Sequence, residues 1–379
     1  MRIIFDARAL RLYPVGQPSD FTGGTESMVH HLAGGLAKQG HDVHVVTPDL
    51  DFEQHRAENL WYWGPQAFPT QADTVVMVHS LEFVDAYSAN YLVFATNGVD
   101  PMLGPDHSYA TGVDAFPVFS EKHGELMRQF RPTILPEQCF VTGLGIDWEK
   151  DYHWLGWDVD KGQMDAAEFK VPRRLLYAND PARGLWHVLD IFDHLRKMSD
   201  EYTLHVAYDF DRQFEHHKWS ATTIAEALWD CKQRLASTEG VLDVGGLTRQ
   251  QLLKEQMECA IHVMPSDPPN VGSQIHGITQ MECAAAGAAL VLSDIEAFPE
   301  VFSRGALILP VIGTWLPRSE RRYDAQDWAE AVHELASDSH RLAVASESAR
   351  ALAKQHTWEH VVERWEHMLS SLSRTPVAV

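Results

Sequence analysis

The sequence predicts an α/β protein built as two doubly wound, Rossmann-like domains, and three observations carry that reading. Short apolar runs alternate with amphipathic stretches from the first residues onward, the pattern of parallel strands joined by crossover helices. The alternation halts in mid-chain and then starts afresh. The chain has 379 residues, long for one core and comfortable for two domains of roughly 100–200 residues each.

The first alternation opens with a strand at residues 2–5, a Gly/Pro/Asp-rich loop to Gly24, and a helix at 26–39 with Met28, Leu32, Ala33 and Leu36 on one face. Gly40 stops that helix before a strand at 42–46, and further strands are expected at 74–78, 91–95, 116–119 and 139–142. Residues 147–170 turn polar and tryptophan-bearing with little periodicity, so a linker is placed at 151–172, between a domain of 1–150 and one of 173–355. The second alternation sets strands at 173–177, 203–207, 241–244, 260–264 and 289–292 between helices at 184–198, 221–235 and 249–258 and a helix bearing Glu282. A terminal segment, 356–379, carries a last helix from Trp358. Doubly wound sheets bind ligands beyond the C-terminal ends of their strands. Two of them facing across a cleft would place a site on the loops that follow those strands.

Composition narrows the function. With 45% apolar and 22% charged residues this is an ordinary globular chain. The 31 basic against 53 acidic residues leave a net charge of −22, which opposes non-specific attraction to nucleic acid or anionic lipid. No run approaches the ~18 apolar residues of a membrane span, and the start goes from Met1 directly into a strand; together these imply a cytoplasmic protein with no transmembrane segment. Cys139, Cys231, Cys259 and Cys283 are scattered, as expected of reduced thiols. The 21 histidines show no metal-ligand spacing, and no paired-aspartate motif stands out, so no metal is expected.

The stretch Asn270–Gly287 is the most informative in the chain. After the apolar run 260–265 comes a polar, turn-rich approach, then a loop holding Gly272 and Gly277, then an alanine-rich helix stopped by Gly287. Glycines permit close backbone approach, and a helix N-terminus offers unpaired N–H groups and roughly half a positive charge. That combination suits a phosphate, with Glu282 one turn into the helix able to accept ribose hydroxyls. An Ala/Gly-rich helix packed on a sheet would explain the same residues without a ligand.

These residues resemble the Glu-x7-Glu signature of retaining nucleotide-sugar glycosyltransferases of the GT-B fold, of the family 4 (group 1) type. Glu282 matches the second glutamate, while Gln274 stands where that family has its first. Thr22-Gly23-Gly24-Thr25-Glu26 is similar to the family's Gly-Gly-x-Glu element beside the diphosphate. In Tyr177–Leu185, Arg183 matches a diphosphate-binding lysine and Gly184 the glycine after it, whereas Ala178 replaces an arginine. His79, at the end of a strand, falls near a histidine that contacts the sugar or acceptor, and Glu300 matches a glutamate after the next strand. Phe119-Ser-Glu121, Gly40-His-Asp-Val43 and Gly143–Asp147 match further landmarks, and the last helix is similar to the family's closing segment, which crosses back to the first domain.

The resemblance implies a GT-B fold and a transferase that moves a sugar from a nucleotide-diphosphate donor, without a cofactor or metal, to a glycan, lipid, protein or modified nucleic acid. It implies catalytic roles for Arg183, Gln274 and His79, and donor contacts from Gly23, Gly24, Gly184, His276, Gly277, Ile278, Glu282 and Glu300. The N–H groups near 276–278 would steady the leaving diphosphate. Two other readings stay open: a non-catalytic sugar-nucleotide-binding subunit, suggested by Ala178 and Gln274, and another GT-B enzyme such as an epimerase or phosphorylase. Oligomeric state is left open.

Overall fold

The computed structural model describes residues 1–10, 24–48, 55–99, 112–156, 164–211, 222–266, 274–311 and 324–374. The chain divides into two compact units, Met1–Gly145 with His356–Val379, and Ile146–Gln355.

The first unit holds β1 (Arg2–Asp6), α1 (Gly24–Lys38), β2 (Asp42–Val46), β3 (His55–Ala57), β4 (Leu60–Trp63), β5 (Gln71–Val78), β6 (Ser88–Ala95), β7 (Phe116–Val118), α2 (Glu121–Phe130) and β8 (Cys139–Val141). Its main sheet runs β3-β4-β2-β1-β5-β6, parallel except for the β3–β4 pair, and β7 and β8 form a separate parallel pair. Ile3, Ile4 and Phe5 are fully buried, as a central parallel strand covered on both faces requires.

In the second unit come β9 (Leu155–Gly156), β10 (Met164–Asp165), β11 (Arg174–Tyr177), α3 (Leu185–Met198), β12 (Thr203–Val206), α4 (Thr222–Ser237), β13 (Val241–Asp243), α5 (Arg249–Glu258), β14 (Ile261–Met264), α6 (Ile278–Ala285), β15 (Ala289–Ser293), α7 (Phe298–Phe302), β16 (Ala306–Leu309), α8 (Ala325–Ser337) and α9 (Ser339–Ala353). Its sheet is all parallel in the order β13-β12-β11-β14-β15-β16. In chain order that is third, second, first, fourth, fifth, sixth, the dinucleotide-binding arrangement whose direction reverses between β11 and β14.

The last helix, α10 (Trp358–Arg374), belongs to the first unit. Its Val361, Val362, Trp365, Met368 and Leu369 form a buried stripe, and Trp365 meets Phe5 with ring centroids 6.0 Å apart. A Cβ on Gly35 of α1 would lie 2.3 Å from a Val362 methyl, so glycine sets how closely these helices pack.

The segment expected as a linker is different. Where it is described it is part of the second unit's interior, with Tyr152, Leu155 and Ala166 buried. Its apolar residues sit in short turns and two-residue strands, which carry no periodicity to read. Among the described residues, no helix is long and apolar enough to cross a membrane.

Candidate active site

Two loops leave the C-terminal edge of the second sheet on either side of its switch point, one after β11 and one after β14. In the first, the Tyr177 hydroxyl donates to the Asp180 carbonyl at 2.7 Å and the Arg183 N–H donates to the same oxygen at 2.9 Å. This tight turn delivers Arg183 and Gly184 to the N-terminus of α3. Gly184 has φ +123°, and a Cβ there would lie 2.7 Å from the Pro265 carbonyl oxygen. The Ser266 hydroxyl donates to the Arg183 carbonyl at 3.3 Å. The two loops therefore meet at Gly184, a contact only glycine permits. Arg183 is half-buried, and among the described residues no carboxylate pairs with its guanidinium. Ala178, where a second cation was expected from the resemblance, is partly buried against the apolar core.

Of the second loop, Gly272 lies outside the described residues. Gln274 is buried and clasped from both sides: its N–H donates to the Glu296 carboxylate, and its carbonyl accepts from the Ala297 N–H at 3.1 Å. Ile275 and His276 are buried beside it. Gly277 caps α6 with φ +114°, where a Cβ would lie 2.7 Å from the Gln280 amide oxygen and 3.1 Å from the Phe298 and Phe302 rings. Ile278 begins the helix, whose first N–H groups have no acceptor within it.

The far end of α6 is held by two cations, Arg350 buried and Lys170 half-buried. Lys170 donates to the Ala286 carbonyl at 2.8 Å and the Gln256 carbonyl at 3.3 Å, and Arg350 donates to the Ala285 carbonyl. Burial pulls the Lys170 ammonium down to about 8 and the Arg350 guanidinium to about 10. Both therefore sit on the negative pole of the helix whose positive pole is at Gly277.

Glu282 is not a solitary acceptor. Arg249 donates to its Oε1 at 2.7 Å and Gln256 to its Oε2 at 3.0 Å. Arg249 also donates to the Tyr152 hydroxyl at 2.9 Å, and that hydroxyl donates to the Gln256 amide oxygen at 3.1 Å. Four hydrogen bonds thus close a ring in which Glu282 is the terminal acceptor of both branches. On its other side Arg249 grips Asp151 through Nε at 3.0 Å and Nη2 at 2.8 Å. Two carboxylates raise the Arg249 pKa against the opposing effect of its burial, the largest single influence on it. The local cause is a capping box, with Thr248 and Gln251 bonded reciprocally. It places Arg249 at the first position of α5, an unfavourable end for a cation that the carboxylates offset.

On the first unit, His79 follows β5 with φ +64°. Its Nε2 lies 3.3 Å from the Thr25 hydroxyl and its Nδ1 3.3 Å from that of Thr96, and Asn97 donates to Thr25 at 3.0 Å. Burial lowers the His79 pKa and favours the neutral ring. Gly24 is the exposed first residue of α1, next to Thr25. Gly23 lies outside the described residues, and Glu300 is exposed in the first turn of α7.

The structure thus brings Arg183 and Gly184 together with the loop after β14, and carries Gln274, His276, Gly277, Ile278 and Glu282 on one continuous loop and helix. His79 and Gly24 belong to the other unit. Sequence reasoning missed Arg249, Asp151, Tyr152, Gln256 and Glu296. The Thr248-Arg-Gln-Gln251 capping signature marked where Arg249 would sit, but nothing local pointed to its partners.

Comparison with solved structures defines the fold. Over 98% of this chain and 99% of the other, the fold is similar to sucrose-phosphate synthase from Thermosynechococcus elongatus, with a TM-score of 0.67 at 13% identity. It is similar to the trehalose-6-phosphate synthase OtsA over 99% of each chain, with a TM-score of 0.70 at 11% identity. It also matches HepE of Anabaena, solved in complex with UDP-glucose, over 98% of this chain and 100% of that one, with a TM-score of 0.63 at 13% identity. The fold is GT-B, that of nucleotide-sugar-dependent glycosyltransferases. Residues 22–100 match the family model Glycosyltransferase Family 4. No curated protein matches it in sequence.

Proposed function

We propose that the protein transfers a sugar from a UDP-sugar, with retention of configuration, and that the second unit holds the donor. The observation that carries this is the meeting of the two loops at the sheet's switch point, with Arg183 at the junction and the N-terminus of α6 on the same side. The relatives solved with UDP-glucose and UDP-2-fluoro glucose support uridine as the base.

In this reading the Arg183 guanidinium and the N–H groups of His276, Gly277 and Ile278 hold the diphosphate. Glu282 accepts the ribose hydroxyls with the lone pairs that Arg249 and Gln256 leave. Gln274 faces the sugar, Glu300 flanks it, and Gly184 sets the loop. The bond from the anomeric carbon to the phosphate oxygen breaks, and the diphosphate departs with the electron pair. The acceptor hydroxyl attacks from the same face and gives its proton to the leaving phosphate oxygen. The resemblance assigns Gly23, Gly24 and His79 to the diphosphate and the acceptor. The protein supplies the cationic stabilisation itself, so turnover should survive a chelator. The acidic surface fits a cytoplasmic enzyme.

Calorimetric titration with UDP is the first test. Arg183→Ala should weaken UDP by roughly tenfold to a hundredfold, the equivalent of about 1.5–3 kcal/mol for a lost charge-assisted contact. Unchanged affinity would remove Arg183 from the site. Ala178 and Gln274 together favour a second reading, a binder of sugar nucleotides that does not turn them over. Donor hydrolysis by the wild type, with and without candidate acceptors, separates the two.

A further inference from the structure

Gln274 is where a carboxylate is expected and an amide is found. A carboxylate reaches it from elsewhere in the chain. β14 and β15 are neighbours in the sheet, so the loops that follow them emerge from the same edge. Glu296, three residues beyond β15, turns its carboxylate onto the Gln274 N–H, and the next residue, Ala297, bonds the Gln274 carbonyl at 3.1 Å.

Glu296 has φ +45°, a left-handed conformation that glycine adopts freely and a glutamate rarely does. Backbone clasping alone would favour glycine there. A strained position occupied by a charged, half-buried side chain is the kind of feature that clusters at working sites. Among the described residues no cation pairs with the Glu296 carboxylate. An ionised carboxylate offers about four lone-pair sites, and the Gln274 N–H takes one.

We propose that Glu296 supplies the carboxylate of the sugar subsite that position 274 lacks, and that it sets which sugars the donor site accepts. This rests on the donor reading above. The sugar of the donor lies beyond the diphosphate, next to Gln274. Glu296 accepts hydroxyls there, while the Gln274 amide both donates and accepts. The two side chains therefore divide between them a role that one glutamate would otherwise fill, and their combined hydrogen-bonding set differs from that of a lone carboxylate.

The test compares wild type, Glu296→Gln, and Glu296→Gln combined with Gln274→Glu. Affinities for UDP, UDP-glucose, UDP-galactose and UDP-N-acetylglucosamine are measured, together with the hydrolysis rate of each sugar nucleotide. Glu296→Gln keeps an acceptor for the Gln274 N–H, so the fold should persist, with UDP affinity within about twofold of wild type as the control. The expected result is a loss of at least fivefold in the preference for the best UDP-sugar over UDP, and a reordering among the three sugars. The double variant should recover at least half of that preference. Unchanged preference and ranking in Glu296→Gln would overturn the proposal. So would a parallel loss of UDP and UDP-sugar affinity, which would make Glu296 a loop brace. A wild type that binds neither UDP nor any UDP-sugar would instead overturn the donor reading, and this proposal with it.

Discussion

Replacing Arg249 with methionine removes the cation from two carboxylates that the fold holds largely out of water. The Asp151 and Glu282 side chains are 10% and 14% exposed, and Arg249 bonds both. Methionine preserves most of the aliphatic volume over the Tyr152 ring, so little packing is lost. What remains is two negative charges with no positive partner between them. Removing one member of a buried ion pair costs about 3–5 kcal/mol. Arg249 is itself 39% exposed, so water can partly take its place. Discounting for that leaves about 2–3 kcal/mol.

The assay is urea unfolding at pH 7.5, following the second unit's transition by tryptophan fluorescence, since a two-unit chain has no single unfolding free energy. With a urea slope of about 2–3 kcal/mol/M, the midpoint should fall by roughly 1 M. A midpoint loss below about 0.3 M would mean that Arg249 is a solvated surface cation and that the ring around Glu282 does not hold it.

Three other outcomes follow from the geometry. Gly184→Ala should destabilise the second unit by roughly 2–4 kcal/mol, because it combines a positive-φ penalty with a clash against backbone, and should weaken UDP by displacing Arg183; normal thermal stability and UDP affinity would refute this. His123 accepts the Phe119 N–H on Nδ1 at 3.1 Å, and burial pulls it down to about 4 from 6.5. Its contribution is present above pH 6.5 and is lost as pH falls toward 4, by up to ~3 kcal/mol. His123→Asn should therefore show a flatter acid limb of stability against pH. Lys170, at about 8 against 10.5, works the other way: below pH 8 both states are protonated and the burial penalty is complete. The wild type should gain on Lys170→Met by up to ~3 kcal/mol between pH 8 and 10.5, and a constant difference across that window would show that Lys170 is hydrated.

How much of this was legible in the sequence depended on whether the signal was local. Central strands of the second sheet, such as Ile261–Met264 and Ala289–Ser293, are buried on both faces and read as mostly apolar runs. β3 and β4 were missed because Trp61, Tyr62 and Trp63 crowd three aromatic residues together and leave no alternation. α8 and α9 went unread although their caps are local: Asp324 accepts from Gln326 and Asp327, and Asp338 from His340 and Arg341. Gly184 and Gly277 could be found because a glycine after a strand is a local instruction to the backbone. The ring around Glu282 could not, because Arg249 and Tyr152 are 97 positions apart in the chain. Only the sheet order brings them together.

The same locality explains why the departures at positions 178 and 274 looked more damaging in the sequence than they do in the fold. Ala178 packs against the core, so a long cation there would have to leave it, and Arg183 is the cation that remains. It does not act alone. α6 is eight residues long, or ~12 Å, so its two poles lie close enough to act on one ligand. Lys170 and Arg350 cover the negative pole with positive charge, while the positive pole at Gly277 is capped by no side chain. A diphosphate at Gly277 would therefore meet a helix end whose opposing pole has been neutralised, in addition to one guanidinium. In the proposed donor site the electrostatic grip would be spread over backbone and distant cations, where a comparison of side chains position by position does not register it.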